Sequence, residues 1–322
     1  VEDDPHKTRT VQTKLGRAYM GKEDYGKAEE LFTKVLEGDP ENQQVLELLG
    51  DVLVATERFA DAAGYYEKAL QIKVEPELQV KLGDALLSAG DLKGAGDIFD
   101  KVINGGSFYA AEAYLGRGDV RRAEGLTDKA LSDYREGFKR SQYRTELREK
   151  LGERILELDP EDTETRFDLA KTYQRANDFE EAIEHYQELL KRQPDSDDAY
   201  QGLAESYTAQ KDYQGAKEAY KHLIELAEDD NRKVLLYEKV LEAEEKLVGK
   251  EKLGEDGLEA LLELAKLYLN QGKKDEAKGQ LERLKQENPD YRADEVAALW
   301  AEIEAQTPSS EAEAPPESEE EP

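Results

Sequence analysis

One recurring unit constrains this chain more than its length or composition does. Residues Thr163 to Ser196, TETRFDLAKTYQRANDFEEAIEHYQELLKRQPDS, read as a helix, a tight turn and a second helix stopped by a proline. The first helix places Phe167, Leu169, Ala170 and Tyr173 at three-to-four spacing on one side, and the second does the same with Phe179, Ala182, Tyr186 and Leu189. Asn177 and Asp178 mark the turn. Neither helix can bury its apolar stripe alone, so the unit demands like neighbours at a period of about 34 residues.

Such neighbours are present on both sides. Arg9 to Asn42 carries Leu15, Gly16, Tyr19, Ala28, Phe32 and Pro40. Gln43 to Pro76 supplies Leu49, Gly50, Leu53, Ala62, Tyr66 and Ala69, and the next unit supplies Leu82, Gly83, Leu86, Ala95, Phe99 and Val102. A weaker fourth copy keeps Gly118, Ala130 and Tyr134 and closes the block 9–144. The phase then breaks over 145–162, where Leu147, Leu151, Ile155 and Leu158 stripe a helix with no partner in the pattern, read as an irregular insertion. Two copies in phase follow over 163–230, the second through Leu203, Ala204, Tyr207, Ala216 and Tyr220. A second break, 231–257, reads as a long helix striped by Val234, Leu235, Val240, Leu241 and Leu247, then a glycine-bearing loop from Gly249 to Gly257. A seventh unit occupies 258–291, with Leu264, Ala265, Tyr268, Ala277 and Leu281, and 292–304 reads as a cap helix. Residues 1–8 form a short arm. The end, 305–322, is rich in proline and glutamate without a large apolar residue and is expected to be disordered.

The spacing L-G-x2-Y, then A-x3-F, then P, met in Leu15, Gly16, Tyr19, Ala28, Phe32 and Pro40, resembles the tetratricopeptide repeat, and the resemblance runs from Arg9 to Glu304. It implies an all-α, right-handed superhelical solenoid of antiparallel helix pairs with a cap helix, the first helices lining a concave groove. It also implies a non-catalytic scaffold that binds protein segments and helps assemble or localise a complex. In this family the groove-facing places fall at positions two, five, nine, twelve and thirteen of each repeat. They hold Arg17 in the first unit, then Glu47 and Asp51, Glu77 and Asp84, and Glu112, Asp119 and Arg122. Later units place Lys171 and Arg175, Glu205, and Lys266 there. The upstream groove is thus acidic and the downstream one mixed. A concave face of one sign focuses its field, so the expected partner is a Lys- or Arg-rich peptide or helix segment. The two-carboxylate clamp of the chaperone-tail binders is absent, with Thr13 and Arg17 at its places.

Charge and residue usage exclude much else. A formal net charge of −30 opposes nucleic acid and anionic membrane surfaces. No apolar run approaches the roughly 18 residues of a membrane span. With no cysteine, and with His6, His185 and His222 isolated in sequence, no metal-ligand spacing or nucleophile-base pair emerges, and no cofactor, metal or catalytic residue is expected. Absent cysteines do not fix a compartment. Val1 in place of a methionine points to removed residues, whether an initiator methionine, a signal or membrane anchor, or simply trimmed sequence, which leaves the compartment open with the cytoplasm slightly favoured. Two rival readings stand beside the scaffold: a self-associating solenoid, and a regulatory domain of a longer membrane-anchored or exported protein.

Overall fold

The computed structural model describes residues 5–249 and 251–305. Among them are seventeen α-helices and no strand. They form two compact units, one ending at Thr172 and the other starting at Tyr173. The first unit contains α1 (Pro5–Met20), α2 (Tyr25–Gly38), α3 (Gln43–Ala55), α4 (Phe59–Ile72), α5 (Pro76–Ser88), α6 (Leu92–Asn104), α7 (Ala110–Ala123), α8 (Thr127–Arg140), α9 (Thr145–Leu158) and most of α10 (Thr163–Ala176). Consecutive helices pack as pairs, α1 on α2 through α7 on α8, and each pair packs on the next.

The pairing has one repeated cause. Each first helix carries a glycine facing an aromatic ring of the second: Gly16 faces Phe32, Gly50 faces Tyr66, Gly83 faces Phe99 and Gly118 faces Tyr134. A β-carbon on Gly83 would stand 2.6 Å from the Phe99 ring, so glycine alone permits this approach. All four rings are buried. The recurring leucine one place before the glycine behaves differently at the first pair. Leu49 and Leu82 are buried, but Leu15 is 44% exposed and Val11 63% exposed, because no preceding pair covers α1 among the described residues.

Each hairpin turn holds one residue in the left-handed region: Glu23, Glu57, Gly90 and Gly125 in the first unit. The N–H that follows closes back onto the first helix, Arg58 to the Leu53 carbonyl at 2.8 Å and Asp91 to the Leu86 carbonyl at 2.9 Å. This conformation disfavours a residue with a β-carbon by about 1–2 kcal/mol. Glu57→Gly is therefore expected to stabilise the protein by up to about 1 kcal/mol, the relief being partly offset by the freedom glycine gains in the unfolded chain. A urea midpoint that stayed put or fell would contradict this.

The helix at 145–162 is not without a partner, as its place in the sequence pattern suggested. α9 packs on α8, and its Gly152 faces Leu169 of α10 and Phe138 of α8. The Leu151 and Gly152 pair does for α9 what the Leu-Gly pairs do for the first helices, but its cover is an aliphatic residue. Arg148, buried between these helices, donates to the Phe138 carbonyl (2.9 Å), to Thr172 Oγ1 (3.1 Å) and to Asp168 (2.6 Å). Its guanidinium also lies 3.8 Å from the centre of the Phe138 ring.

The second unit holds α11 (Phe179–Leu190), α12 (Asp197–Gln210), α13 (Tyr213–Leu226), α14 (Asp230–Val248), α15 (Glu255–Asn270), α16 (Lys274–Glu287) and α17 (Ala293–Ala305). Each packs on the next, and Asn177, Lys211 and Gly272 supply left-handed turn residues. Gly202 of α12 faces the buried Tyr186 of α11. α14 departs from its expected stripe: Val234, Leu236, Val240, Leu241, Ala243 and Glu244 are buried, while Leu235 and Leu247 are exposed. The C-terminal end of its buried face is Glu244, which is ion-paired to Lys217. The loop after it ends at Gly254, and Gly257, read as loop, lies in α15. The acidic stretch from residue 306 to 322 lies outside the described residues.

Candidate concave binding face

In the first unit the first helices of successive pairs are neighbours, α5 beside α7 and α1 beside α3. Their shared face collects the acidic positions named from the sequence, and most of those acids already hold a partner from this chain. Lys81 on α5 reaches back to α3, donating to Glu47 at 2.7 Å and Asp51 at 3.0 Å. Burial would lower the Lys81 ammonium, but these bonds outweigh it and hold the pKa above the ordinary lysine range. Asp51 also accepts the Tyr66 hydroxyl at 2.8 Å. Glu77 accepts the Tyr109 hydroxyl at 2.6 Å. Glu112 is ion-paired to Arg144. Asp119 accepts from the Tyr134 hydroxyl at 2.7 Å and lies 3.4 Å from Arg154 of α9. Arg122 is bonded to Glu157.

Asp84 is the exception. No hydrogen bond or ion pair reaches its carboxylate among the described residues, although it is open to solvent. Protein walls around it disfavour its charge, Asp119 adds repulsion and Lys150 opposes both, so its carboxyl is pushed up to about 7. At the place on α7 that matches Lys81 on α5, three residues before the recurring aspartate, stands Gly116, which supplies no base. Asp84 lies in a recess of about 280 Å³ together with Val54, Phe59, Tyr66, Lys81 and Ser88, so an apolar wall adjoins the carboxylate.

The remaining candidate positions differ from these in their surroundings. Arg17 lines a separate recess on α1 and α3. Lys171 lies 5.1 Å from the centre of the Phe167 ring, and Arg175 is exposed. In the second unit Glu205 accepts from Gln174 at 3.2 Å and Gln201 at 2.6 Å, and Lys266 bridges Glu263 and Glu295, both at 2.6 Å. The bases that neutralise the acids, Lys81, Arg144 and Arg154, lie outside the groove positions named from the sequence. Lys81 follows Glu47 by one repeat length, and pairing opposite charges across one period would have found it. Among the described residues no helix is long and apolar enough to cross a membrane.

Comparison with known proteins finds the same repeat. Sequence profiles of the tetratricopeptide repeat match residues 13–73 and 167–231, and a second version matches 259–291. The intervening stretch packs through the same glycine-aromatic pairs at Gly83 and Gly118. An alignment 193 positions long, covering 54% of this chain, is 27% identical to the TPR repeat-containing protein YpiA of Bacillus subtilis (strain 168) and spans 45% of that relative's length. Solved structures that resemble it include MamA, with a TM-score of 0.40 and 22% identity over 59% of this chain and 93% of that one. Another is the TPR2AB domain of yeast Sti1 in its pHSP90 complex, with a TM-score of 0.33 and 17% identity over 74% of this chain and 99% of that one. The repeated glycine-aromatic hairpins and the repeat profiles together place the chain in the tetratricopeptide-repeat family, whose fold is a scaffold for protein interaction.

Proposed function

We propose that the concave face of α3, α5 and α7 captures a Lys- or Arg-bearing segment of a protein partner, with Asp84 as the anchor for one basic side chain. The observation that carries this is the contrast within one face. Glu47, Asp51, Glu77, Glu112 and Asp119 hold internal partners, whereas Asp84 has none and stands beside an apolar recess suited to the stem of a long basic side chain. An incoming cation offsets the desolvation and the Asp119 repulsion that raise the Asp84 pKa, so binding should release a proton near neutral pH. The role in the cell that fits is assembly or localisation of a complex rather than catalysis.

A short fluorescent Ala/Lys repeat peptide, titrated at pH 8 and pH 5.5, tests this. Binding is expected to be severalfold tighter at pH 8, where Asp84 is ionised, and Asp84→Asn should weaken it at pH 8 and abolish the difference. Equal affinity for both proteins at both pH values would sink the reading. Stability should move the other way. A carboxyl raised in the folded state holds a proton that the unfolded chain has lost between about pH 4 and 7, so ionised Asp84 destabilises the fold above that window. Asp84→Asn should therefore raise the melting temperature at pH 8 by clearly more than at pH 5, where only part of that window has been crossed.

A further inference from the structure

The first helix is a charge anomaly. The chain carries a net −30, yet α1 is the one helix among the described residues without an aspartate or glutamate, and it holds Lys7, Arg9, Lys14 and Arg17. Arg9, Thr13 and Arg17 recur at four-residue steps along one side. Together with Lys14, and with Asn42 and Gln44 from the start of α3, they line a recess of about 210 Å³. Its one carboxylate, Asp39, accepts from Asn42 at 2.9 Å. Arg9, Lys14 and Arg17 make no ion pair among the described residues, although most bases elsewhere in the first unit are matched to an acid. Three uncompensated cations around neutral hydrogen-bond donors form a site for an anionic, extended ligand.

The sequence itself supplies a segment of that chemistry. Residues 306–322, QTPSSEAEAPPESEEEP, carry six glutamates and no base. We infer that the recess of α1 and α3 receives the glutamate-rich segment 306–322 of a second copy of this chain, a head-to-tail contact between copies. The contact is independent of the Asp84 face: it lies at the opposite charge, on other residues, and takes an acidic ligand. Because such a contact is heterologous, it repeats from copy to copy, closing into a ring where the rotation allows and running on as an open chain where it does not.

The test uses the full chain and a synthetic peptide of residues 306–322. Light scattering at low ionic strength should show mass rising with concentration, and deletion of 306–322 or the pair Arg9→Glu and Arg17→Glu should abolish the rise. The fluorescent peptide should bind the tail-deleted chain, at least about tenfold more weakly after the two reversals and more weakly in high salt. Lys93→Glu with Lys101→Glu changes net charge equally on α6 and should leave peptide binding within about twofold. Three results would each overturn the inference: no peptide binding, equal loss in the α6 control, or a full chain that stays monomeric while tail deletion tightens peptide binding. The last would mean that the recess is filled by the segment of its own chain. Circular dichroism and urea unfolding of the reversed pair separate loss of binding from loss of fold.

Discussion

Lys217→Met should cut the stability of the second unit by about 3–5 kcal/mol, as breaking a buried ion pair does. Lys217 and Glu244 side chains are 8% and 6% exposed and meet at 2.8 Å, between α13 and α14, and Lys217 also reaches Asp256 of α15 at 2.8 Å. Glu244 further accepts the Gly254 N–H at 3.0 Å, tying the loop to the helix before it. Removing the ammonium leaves Glu244 charged, buried and without its cation, while Asp256 keeps Lys221 at 2.7 Å. The double variant Lys217→Met with Glu244→Leu should recover much of the loss, because no unpaired charge then remains. Urea unfolding combined with hydrogen exchange of α13 to α15 measures both. A single variant within about 1 kcal/mol of the parent would show that water reaches this network.

The same network fixes a pH window. Burial alone would raise Asp256, but hydrogen bonds from Lys217 and Lys221 hold its carboxyl below the usual range. Burial alone would lower Lys217, but the bonds to Asp256 and Glu244 hold it above the ordinary lysine value. A depressed carboxyl stabilises above its unfolded value and loses that contribution as pH falls through the folded one. A raised ammonium stabilises below its unfolded value and loses that contribution as pH rises through the folded one. The network is therefore fully stabilising between about pH 4 and 10.

Phe99→Ala is the second large effect, expected to destabilise the first unit by about 3–5 kcal/mol. The ring is fully buried and is enclosed by Gly83 on one side and Gly116 on the other. Neither neighbour has a side chain that can swing into the space, so the cavity should persist rather than collapse. The loss should concentrate in hydrogen exchange of α5 to α7, since contacts in a repeat array run mainly between neighbours. Uniform loss of protection through the first unit would instead mean that it unfolds as one block.

The hairpins were legible in the sequence because their determinants are local: a glycine, an aromatic about half a repeat later, and a turn residue between them. What was not legible depended on partners in other pairs. Lys81 satisfies two acids that look like open groove positions, and Asp84 stays open where α7 carries Gly116 at the place matching Lys81. Leu15 matches the pattern fully, yet remains half exposed for want of a preceding pair. Along α14 an apolar stripe was traced through Leu235 and Leu247, while the buried face closes around Glu244, a residue that reads as solvated charge until its lysine is found across the unit. α9 escaped the pattern because its covering residue, Leu169, belongs to the helix that opens the next well-formed repeat.

The left-handed residues at Glu23, Glu57, Gly90, Gly125, Asn177, Lys211 and Gly272 close each hairpin by backbone geometry that does not depend on the side chains packed along the helices. Closure and cohesion are thereby separate variables. A whole hairpin can be lost or duplicated in the gene without redesigning any turn, provided the cut preserves the glycine-ring contact on either side. Array length is then an editable trait, and a change in reach toward a partner can come from copying a block rather than from reshaping a surface.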